Sequence, residues 1–87
     1  MEQDLIKIYG ARWCGDCFRA KRVLDNYQIN YQWVDIDQET EAKELVSQVN
    51  DGKIIVPTLI FPDGSILAEP SDQLLKRKLC LDVDSQT

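Results

Sequence analysis

The sequence predicts an α/β fold in which three helices flank a four-stranded mixed sheet, in the order β-α-β-α-β-β-α. Short β-branched and aromatic runs alternate with segments whose apolar residues recur every three or four positions. A Pro-Asp-Gly turn joins the last two strand-like runs, and a Leu-rich helical segment follows them. We therefore expect a parallel, right-handed βαβ unit followed by an antiparallel hairpin.

The length and charge of the chain restrict what it can be. Its 87 residues suit one small domain spanning 1–87, with a core over about residues 5–81 and an acidic tail at 82–87. The net charge of −5 argues against nucleic-acid binding, which needs a basic surface. No apolar run has membrane-spanning length, and the first residues lack a signal-peptide pattern. We expect a cytoplasmic monomer with no membrane partner.

The first half of the chain holds the predicted βαβ unit. Residues 5–9 (LIKIY) form a short β-rich run that ends at Gly10 and predicts a buried strand. Apolar residues at helical spacing predict a helix from Gly15 to about Tyr27. The side chains expected on its inner face are Cys17, Phe18, Ala20, Val23, Leu24 and Tyr27. Residues 31–36 (YQWVDI) alternate in polarity and predict the second strand.

A second helix is predicted to begin at an Asp37 or Thr40 cap and to run to about Val49, where Asn-Asp-Gly ends it. Its inward residues should be Ala42, Leu45, Val46 and Val49. The third strand should start after Pro57 and cover residues 58–61, because proline is tolerated at a strand start but not within a central strand.

The remaining elements follow the hairpin turn at residues 62–64. Residues 65–68 (SILA) predict the fourth strand. Ser71 is predicted to cap a last helix over residues 72–81. The side chains expected to point inward from this helix are Leu74, Leu75, Leu79 and Cys80. Cys80 lies in a Leu-rich face, which favours a small buried hydrophobe over a functional thiol.

A Cys-x-x-Cys pair, Cys14 and Cys17, lies where the first strand leads into the first helix. The amides and dipole of a helix N-terminus stabilise an anion, and the thiolate is the nucleophile of disulfide exchange. Cys17 lies one turn further on the same face, so the two sulfurs can close into a disulfide. We predict that Cys14 is the exposed attacking thiol and Cys17 the more buried resolving thiol.

The residues around this pair bear on its chemistry. Arg12 and Arg19, with Lys21 a further contributor, favour the thiolate, whereas Asp16 opposes it. Zinc usually takes four ligands, but the chain has no histidine and only one further cysteine. Redox chemistry is therefore favoured over a metal site.

Trp13 and Pro57 each allow two interpretations. Trp13 belongs either to the core or to a surface that contacts substrate beside the thiol. A cis Val56–Pro57 bond would turn the backbone N–H and C=O of Val56 outward, where they can pair with an extended peptide. A trans bond at a strand start is the commoner arrangement.

Taken together, WCGDC on a strand–helix turn, VPT, the DG hairpin and the final helix resemble the glutaredoxin family of the thioredoxin fold. The resemblance extends from about Leu5 to Leu81. It is nearest to the mycoredoxin-like glutaredoxins, whose motifs are echoed by WCGDC, VDI, SQVNDG, VPT and EPS.

The resemblance implies a cytoplasmic thiol–disulfide oxidoreductase that serves electron transport and cell redox homeostasis. It makes Cys14 the nucleophile, Cys17 the resolving thiol and Pro57 cis. It implies a thiol-binding groove formed by Arg12, Trp13, Val56 and the segment after the hairpin. The substrates would be protein disulfides or mixed disulfides with low-molecular-weight thiols. No bound cofactor is implied; electrons would come from glutathione, a mycothiol-like thiol or a thioredoxin-reductase-like flavoprotein.

The chain also departs from the family pattern. Gly15 and Asp16 replace the Pro-Tyr pair of most glutathione-using glutaredoxins, and LAEPSDQ replaces their Gly-Gly-Cys/Ser-Asp stretch. Ser71 and Asp72 could still supply amides and a carboxylate to a thiol ligand. The alternatives are a glutaredoxin that carries an iron–sulfur cluster, which Gly15 permits and Asp16 disfavours, and a binding domain without chemistry.

Overall fold

The computed structural model describes residues 5–79 and contains the predicted order β-α-β-α-β-β-α. The strands are β1 (Ile6–Gly10), β2 (Tyr31–Asp35), β3 (Thr58–Ile60) and β4 (Ile66–Ala68). The helices are α1 (Gly15–Asn26), α2 (Thr40–Val49) and α3 (Asp72–Lys78). Within the described residues, every helix is too short or too polar to cross a membrane.

The strands form one mixed sheet in the order β2-β1-β3-β4. β1 and β2 are parallel, with Ile6 opposite Tyr31, whereas β1–β3 and β3–β4 are antiparallel. The α/β class, the parallel βαβ unit and the closing hairpin are therefore confirmed. The order places β1 and β3 in the centre, which explains why these strands are the most buried.

Alternate residues of β1 supply two hydrophobic clusters because successive strand side chains point to opposite faces. Ile6 and Ile8 pack with buried residues of α1, α3 and β3, namely Ala20, Val23, Leu24, Leu75 and Leu59. Tyr9 packs with buried residues of β2 and α2 and of the loop between them, namely Val34, Ile36, Ala42 and Val46. Helices thus cover both faces of the sheet, as predicted.

Helix caps were predicted correctly for α3 but not for α2. The Ser71 hydroxyl accepts a hydrogen bond of 3.1 Å from the Leu74 amide, as expected of an N-cap serine. The N-cap of α2 is Glu39, which makes no side-chain cap bond, and Thr40 is the first helical residue. The Asp37 carboxylate instead accepts a hydrogen bond from the Trp13 indole. The predicted end of α3, Cys80 and the tail lie outside the described residues.

Three residues predicted to be inward are exposed. Phe18, Tyr27 and Leu74 expose between 43% and 47% of their surface. α1 meets the sheet along the narrower stripe of Cys17, Ala20, Val23 and Leu24, which leaves Phe18 and Tyr27 on its flanks. α3 has only seven residues, about two turns, and its one fully buried residue is Leu75. A short helix at this position therefore buries a smaller face than the Leu-rich pattern predicts.

Gly10 allows β1 and α1 to approach closely. A Cβ atom at Gly10 would lie 2.5 Å from Cys17 Sγ and 2.7 Å from an aromatic carbon of Trp33. Both distances are well inside van der Waals contact, so only glycine fits without movement of these neighbours. The absent side chain therefore lets Cys17 occupy its buried position against the sheet.

We predict that Gly10→Ala destabilises the protein by about 1–3 kcal/mol, the usual cost of overpacking a core. Denaturant unfolding of the reduced protein measures this change. Gly15→Ala is the matched control, because a Cβ there meets nothing within 4 Å. It should be neutral or stabilising by about 0.5–1 kcal/mol, since alanine is the better helix former. Equal stability of the two variants would contradict the proposed close approach.

Candidate active site

Cys14 is the N-cap residue of α1, and its sulfur performs the capping. Cys14 Sγ accepts a hydrogen bond of 3.2 Å from the backbone amide of Cys17. The Cys14 backbone is extended, with φ −94° and ψ 109°, which is usual for an N-cap residue. The sulfur therefore faces both an N–H donor and the positive end of the helix dipole. This agrees with the helix start predicted from the sequence.

The depth of Cys14 differs from the prediction. Cys14 is buried rather than exposed, with 7% of its surface accessible, while Cys17 is fully buried. Both cysteines are free thiols. The predicted order, with Cys14 the more accessible, is retained, but the loop before Pro57 partly covers its sulfur. The covering loop is distant in sequence, so the Cys-x-x-Cys pattern alone does not predict this contact.

Cys14 lies in the wall of an open cavity of about 420 Å³, here called the Cys14 cavity. Its other lining residues come from the start of α1, the loop before Pro57 and the end of β4: Trp13, Gly15, Asp16, Ile54, Ile55, Val56 and Glu69. Trp13 and Val56 were predicted as binding residues. Ile54, Ile55 and Glu69 were not, because only the packing of distant segments brings them to the thiol.

Cys17 is held as a neutral thiol. Burial, followed by the hydrogen bond with Cys14 and the negative charges of Cys14 and Asp16, raises the pKa of Cys17 to about 12. A backbone hydrogen bond with Ala11 acts in the opposite direction but does not cancel the rise. At neutral pH Cys17 therefore keeps its proton, and the two thiols occupy unequal environments.

The loop before β3 brings Val56 to Cys14. The Val56–Pro57 peptide bond is cis, as the family resemblance implied, and Pro57 is buried. The Cys14 thiol lies 3.7 Å from the Val56 carbonyl oxygen and donates to it. Among residues 5–79, no hydrogen-bond acceptor is paired with the Val56 amide. Backbone groups suited to pairing with an extended segment thus lie directly beside the sulfur.

Trp13 lies on the surface and not in the core. It exposes 70% of its surface, and its Nε1 donates a 2.9 Å hydrogen bond to the Asp37 carboxylate. This bond links the Cys14 turn to the loop after β2 and restrains the indole at the edge of the cavity. Arg12 is also exposed, but it does not line the Cys14 cavity.

Ser71 and Asp72 lie apart from the thiol cavity. Arg19 Nη1 donates to the Asp72 carboxylate at 2.6 Å, and Arg19 Nη2 donates to the Asp16 carboxylate at 3.2 Å. These contacts raise the pKa of Arg19, with Asp72 the largest contribution. Asp72 lines a second cavity, between α1 and α3, and the Ser71 hydroxyl is used by the helix cap. The predicted binding residues therefore form two groups joined through Arg19.

Cys14 and Cys17 are the two cysteines that meet at this site within the described residues. Within residues 5–79 there is no group of three or more histidine, cysteine, aspartate or glutamate side chains placed to hold an ion.

Comparison with known proteins places this arrangement in a family. Residues 6–66 match the glutaredoxin family model. A Mycobacterium tuberculosis H37Rv protein named as a glutaredoxin is 45% identical over 74 residues, covering 85% of this chain and 88% of that protein. Mycoredoxin 1 of Corynebacterium glutamicum ATCC 13032 is 40% identical over 65 residues, covering 75% and 80%.

A solved structure agrees with the sequence matches at the level of the fold. The glutaredoxin of Methanosarcina mazei Go1 superposes with a TM-score of 0.74 at 23% identity, covering 88% of this chain and 79% of that one. The fold is therefore thioredoxin-like. The chain belongs to the glutaredoxin family, whose members are thiol–disulfide oxidoreductases that work with low-molecular-weight thiols and disulfide substrates.

The raised pKa of Cys17 predicts a pH dependence of stability. The folded state holds the Cys17 proton from its ordinary pKa of 9.0 up to about 12, whereas the unfolded state releases it. Stability should therefore fall as pH rises through this window. Urea unfolding of the reduced protein at pH 8, 9, 10 and 11 measures the slope.

The matched comparison is Cys17→Ala, which removes the titrating group. Burial also raises the pKa values of Tyr9 and Tyr31, so both proteins should lose stability at high pH. The wild type should lose more between pH 9 and 11, because only it contains Cys17. Parallel stability profiles would contradict the raised Cys17 pKa.

Proposed function

We propose that this protein is a dithiol disulfide reductase in which Cys14 is the nucleophile and Cys17 the resolving thiol. The observation that carries the proposal is the capping geometry. Cys14 Sγ accepts a hydrogen bond of 3.2 Å from the Cys17 amide and borders an open cavity. Cys17, one turn further along α1, is fully buried. This arrangement supports one sulfur that borders the cavity at a helix N-terminus and one protected neutral thiol.

The proposed reaction has two exchange steps. The Cys14 thiolate attacks one sulfur of a substrate disulfide, forms a mixed disulfide and releases the other sulfur as a thiolate, which takes up a proton. Cys17 then loses its proton and attacks Cys14 Sγ, so that the second substrate thiol leaves and a Cys14–Cys17 disulfide forms. Two electrons pass from the dithiol to the substrate disulfide, and the two thiol protons of the protein balance the two thiols released.

The protonation of Cys17 suits this order of steps. Its raised pKa arises partly from the hydrogen bond with Cys14 and the negative charge of Cys14. Both contributions are lost when Cys14 becomes part of a mixed disulfide, which makes Cys17 easier to deprotonate. Cys17 would therefore stay protonated and unreactive until the first step has occurred.

The groove residues would hold the substrate beside Cys14. The Val56 amide and carbonyl lie next to the sulfur at cis Pro57, where an extended segment can pair with them. Trp13 supplies an exposed apolar surface at the cavity edge, and Arg12 is an exposed residue of the same turn that does not line the cavity. Asp72 could bind an amine only by exchanging its contact with Arg19, and Ser71 could contribute its backbone amide.

We propose an external low-molecular-weight thiol as the reductant that regenerates the dithiol. Membership of the family and the similarity to mycoredoxin 1 support this assignment. Glutathione, a mycothiol-like thiol and a thioredoxin-reductase-like flavoprotein are the three sources to compare. We further propose that the chain acts as a single-domain monomer over residues 1–87, in the cytoplasm, on protein disulfides and on mixed disulfides with small thiols.

We predict that Cys14→Ser abolishes disulfide reduction, whereas Cys17→Ser still reduces small mixed disulfides. The first variant lacks the attacking sulfur; in the second, an external thiol can resolve the mixed disulfide in place of Cys17. Stopped-flow reaction with a mixed disulfide of each small thiol, and with a disulfide-bearing peptide, measures both activities. Cys80→Ser is the control that accounts for the third cysteine.

Three results would contradict parts of the proposal. Activity retained by Cys14→Ser would remove Cys14 as the nucleophile. Loss of every activity in a folded Cys17→Ser protein would favour a thioredoxin-like dithiol route. Regeneration of the dithiol by the flavoprotein, but by neither small thiol, would overturn the proposed reductant.

A further inference from the structure

We propose that Glu69 sets the charge selectivity of the Cys14 cavity, so that disulfides with basic groups beside the sulfur react faster than those with acidic groups. This inference rests on the proposed reaction of Cys14. Glu69 would then be a specificity-determining residue of the cavity.

The fold fixes Glu69 close to the thiol. β4 ends at Ala68, which pairs with Thr58 at the start of β3. The next residue, Glu69, donates its backbone amide to the Pro57 carbonyl at 2.7 Å. Its backbone has a positive φ of 51°, which turns the chain out of the strand toward α3. Glu69 is thereby held opposite α1 and lines the Cys14 cavity.

The charged residues that line the cavity are both acidic. They are Asp16, at the start of α1, and Glu69, at the end of β4. The Asp16 carboxylate is partly neutralised by Arg19, which also binds Asp72. The Glu69 carboxylate has no ion pair or hydrogen bond with another residue in the range 5–79, and its side chain is exposed. Its charge is therefore available to a ligand.

Among residues 5–79, no lysine or arginine lines the cavity. Asp16, Arg19 and Asp72 together carry one net negative charge, and Glu69 adds another. A ligand anion in the cavity would meet two acidic walls, whereas an ammonium or guanidinium group would be attracted. A charge pair several ångströms apart at a wet surface is worth about a threefold to tenfold change in rate or affinity.

Small thiols should therefore differ in their reaction at the Cys14 cavity according to their charge. A thiol with free carboxylates, as in glutathione, would be disfavoured relative to an uncharged thiol of similar size. A protein disulfide flanked by lysine or arginine would be favoured over one flanked by acidic residues. Ile54, Ile55 and Val56 form another wall of the cavity, and their apolar side chains do not oppose this ordering.

The experiment compares three small symmetrical disulfides that differ in their terminal group. Cystamine is cationic, bis(2-hydroxyethyl) disulfide is neutral and 3,3′-dithiodipropionate is anionic. Stopped-flow fluorescence gives the rate constant of the reduced protein with each one. Dividing by the rate constant of each disulfide with 2-mercaptoethanol, a neutral thiol, removes differences in intrinsic reactivity. The normalised rates should fall in the order cationic, neutral, anionic.

Substitutions at Glu69 should change this order, which is measured as the ratio of the normalised cationic to anionic rates. Glu69→Gln should reduce the cationic-to-anionic ratio by about threefold to tenfold, and Glu69→Lys should reduce it further. Glu44→Gln removes an exposed acidic residue of α2 that does not line the cavity, and it should leave the ratio unchanged. The wild-type ratio should shrink at about 1 M salt, where screening acts within about 3 Å.

The outcomes distinguish the inference from the function on which it rests. No reaction of the folded wild type with the neutral disulfide would overturn the proposed function itself. Reaction with all three disulfides, at a ratio that Glu69→Gln and Glu69→Lys leave unchanged, would overturn only the role of Glu69. An equal effect of Glu44→Gln would attribute the selectivity to overall charge and would also overturn it.

Discussion

The start of α1 at Cys14 is the constraint on which the rest of the site depends. The hydrogen bond from the Cys17 amide to Cys14 Sγ sets the first turn of the helix and directs positive potential at one sulfur. The same turn carries Cys17 inward against β1, where Gly10 leaves room for its sulfur. One local structure therefore places both thiols, one of which borders a cavity while the other, Cys17, is fully buried with a raised pKa.

Strand pairing in the sheet positions the other residues that line the Cys14 cavity. Because β3 pairs with both β1 and β4, the residues just before β3 and just after β4 meet beside the Cys14 turn. This pairing explains why Val56 and Glu69, thirteen positions apart, both line the Cys14 cavity. The bond from the Glu69 amide to the Pro57 carbonyl ties the two ends together. The cavity is therefore a property of strand register and not of any single motif.

The polar contacts around the site position side chains more than they stabilise the folded protein. Arg19 joins α1 to α3 through Asp16 and Asp72, but all three side chains are one-third to one-half exposed. Exposed ion pairs of this kind contribute about 0–1 kcal/mol. They also engage the Asp72 carboxylate, so that it is not free to bind a ligand without exchanging its contact with Arg19. The Trp13–Asp37 bond acts in the same way, since it restrains an exposed indole beside the thiol.

The sequence by itself determined the element order, the helix start at Cys14, the Ser71 cap and the greater burial of Cys17. Each of these depends on periodicity, capping or spacing within a few residues, which local chemistry encodes. Only the tertiary structure decided how deeply Cys14 lies, that Phe18 and Leu74 are exposed, and that Ser71 and Asp72 lie away from the thiol. It also decided that Glu69 borders the cavity. These features depend on which distant segments pack together, and strand register and helix placement are set by the whole core rather than by neighbouring residues.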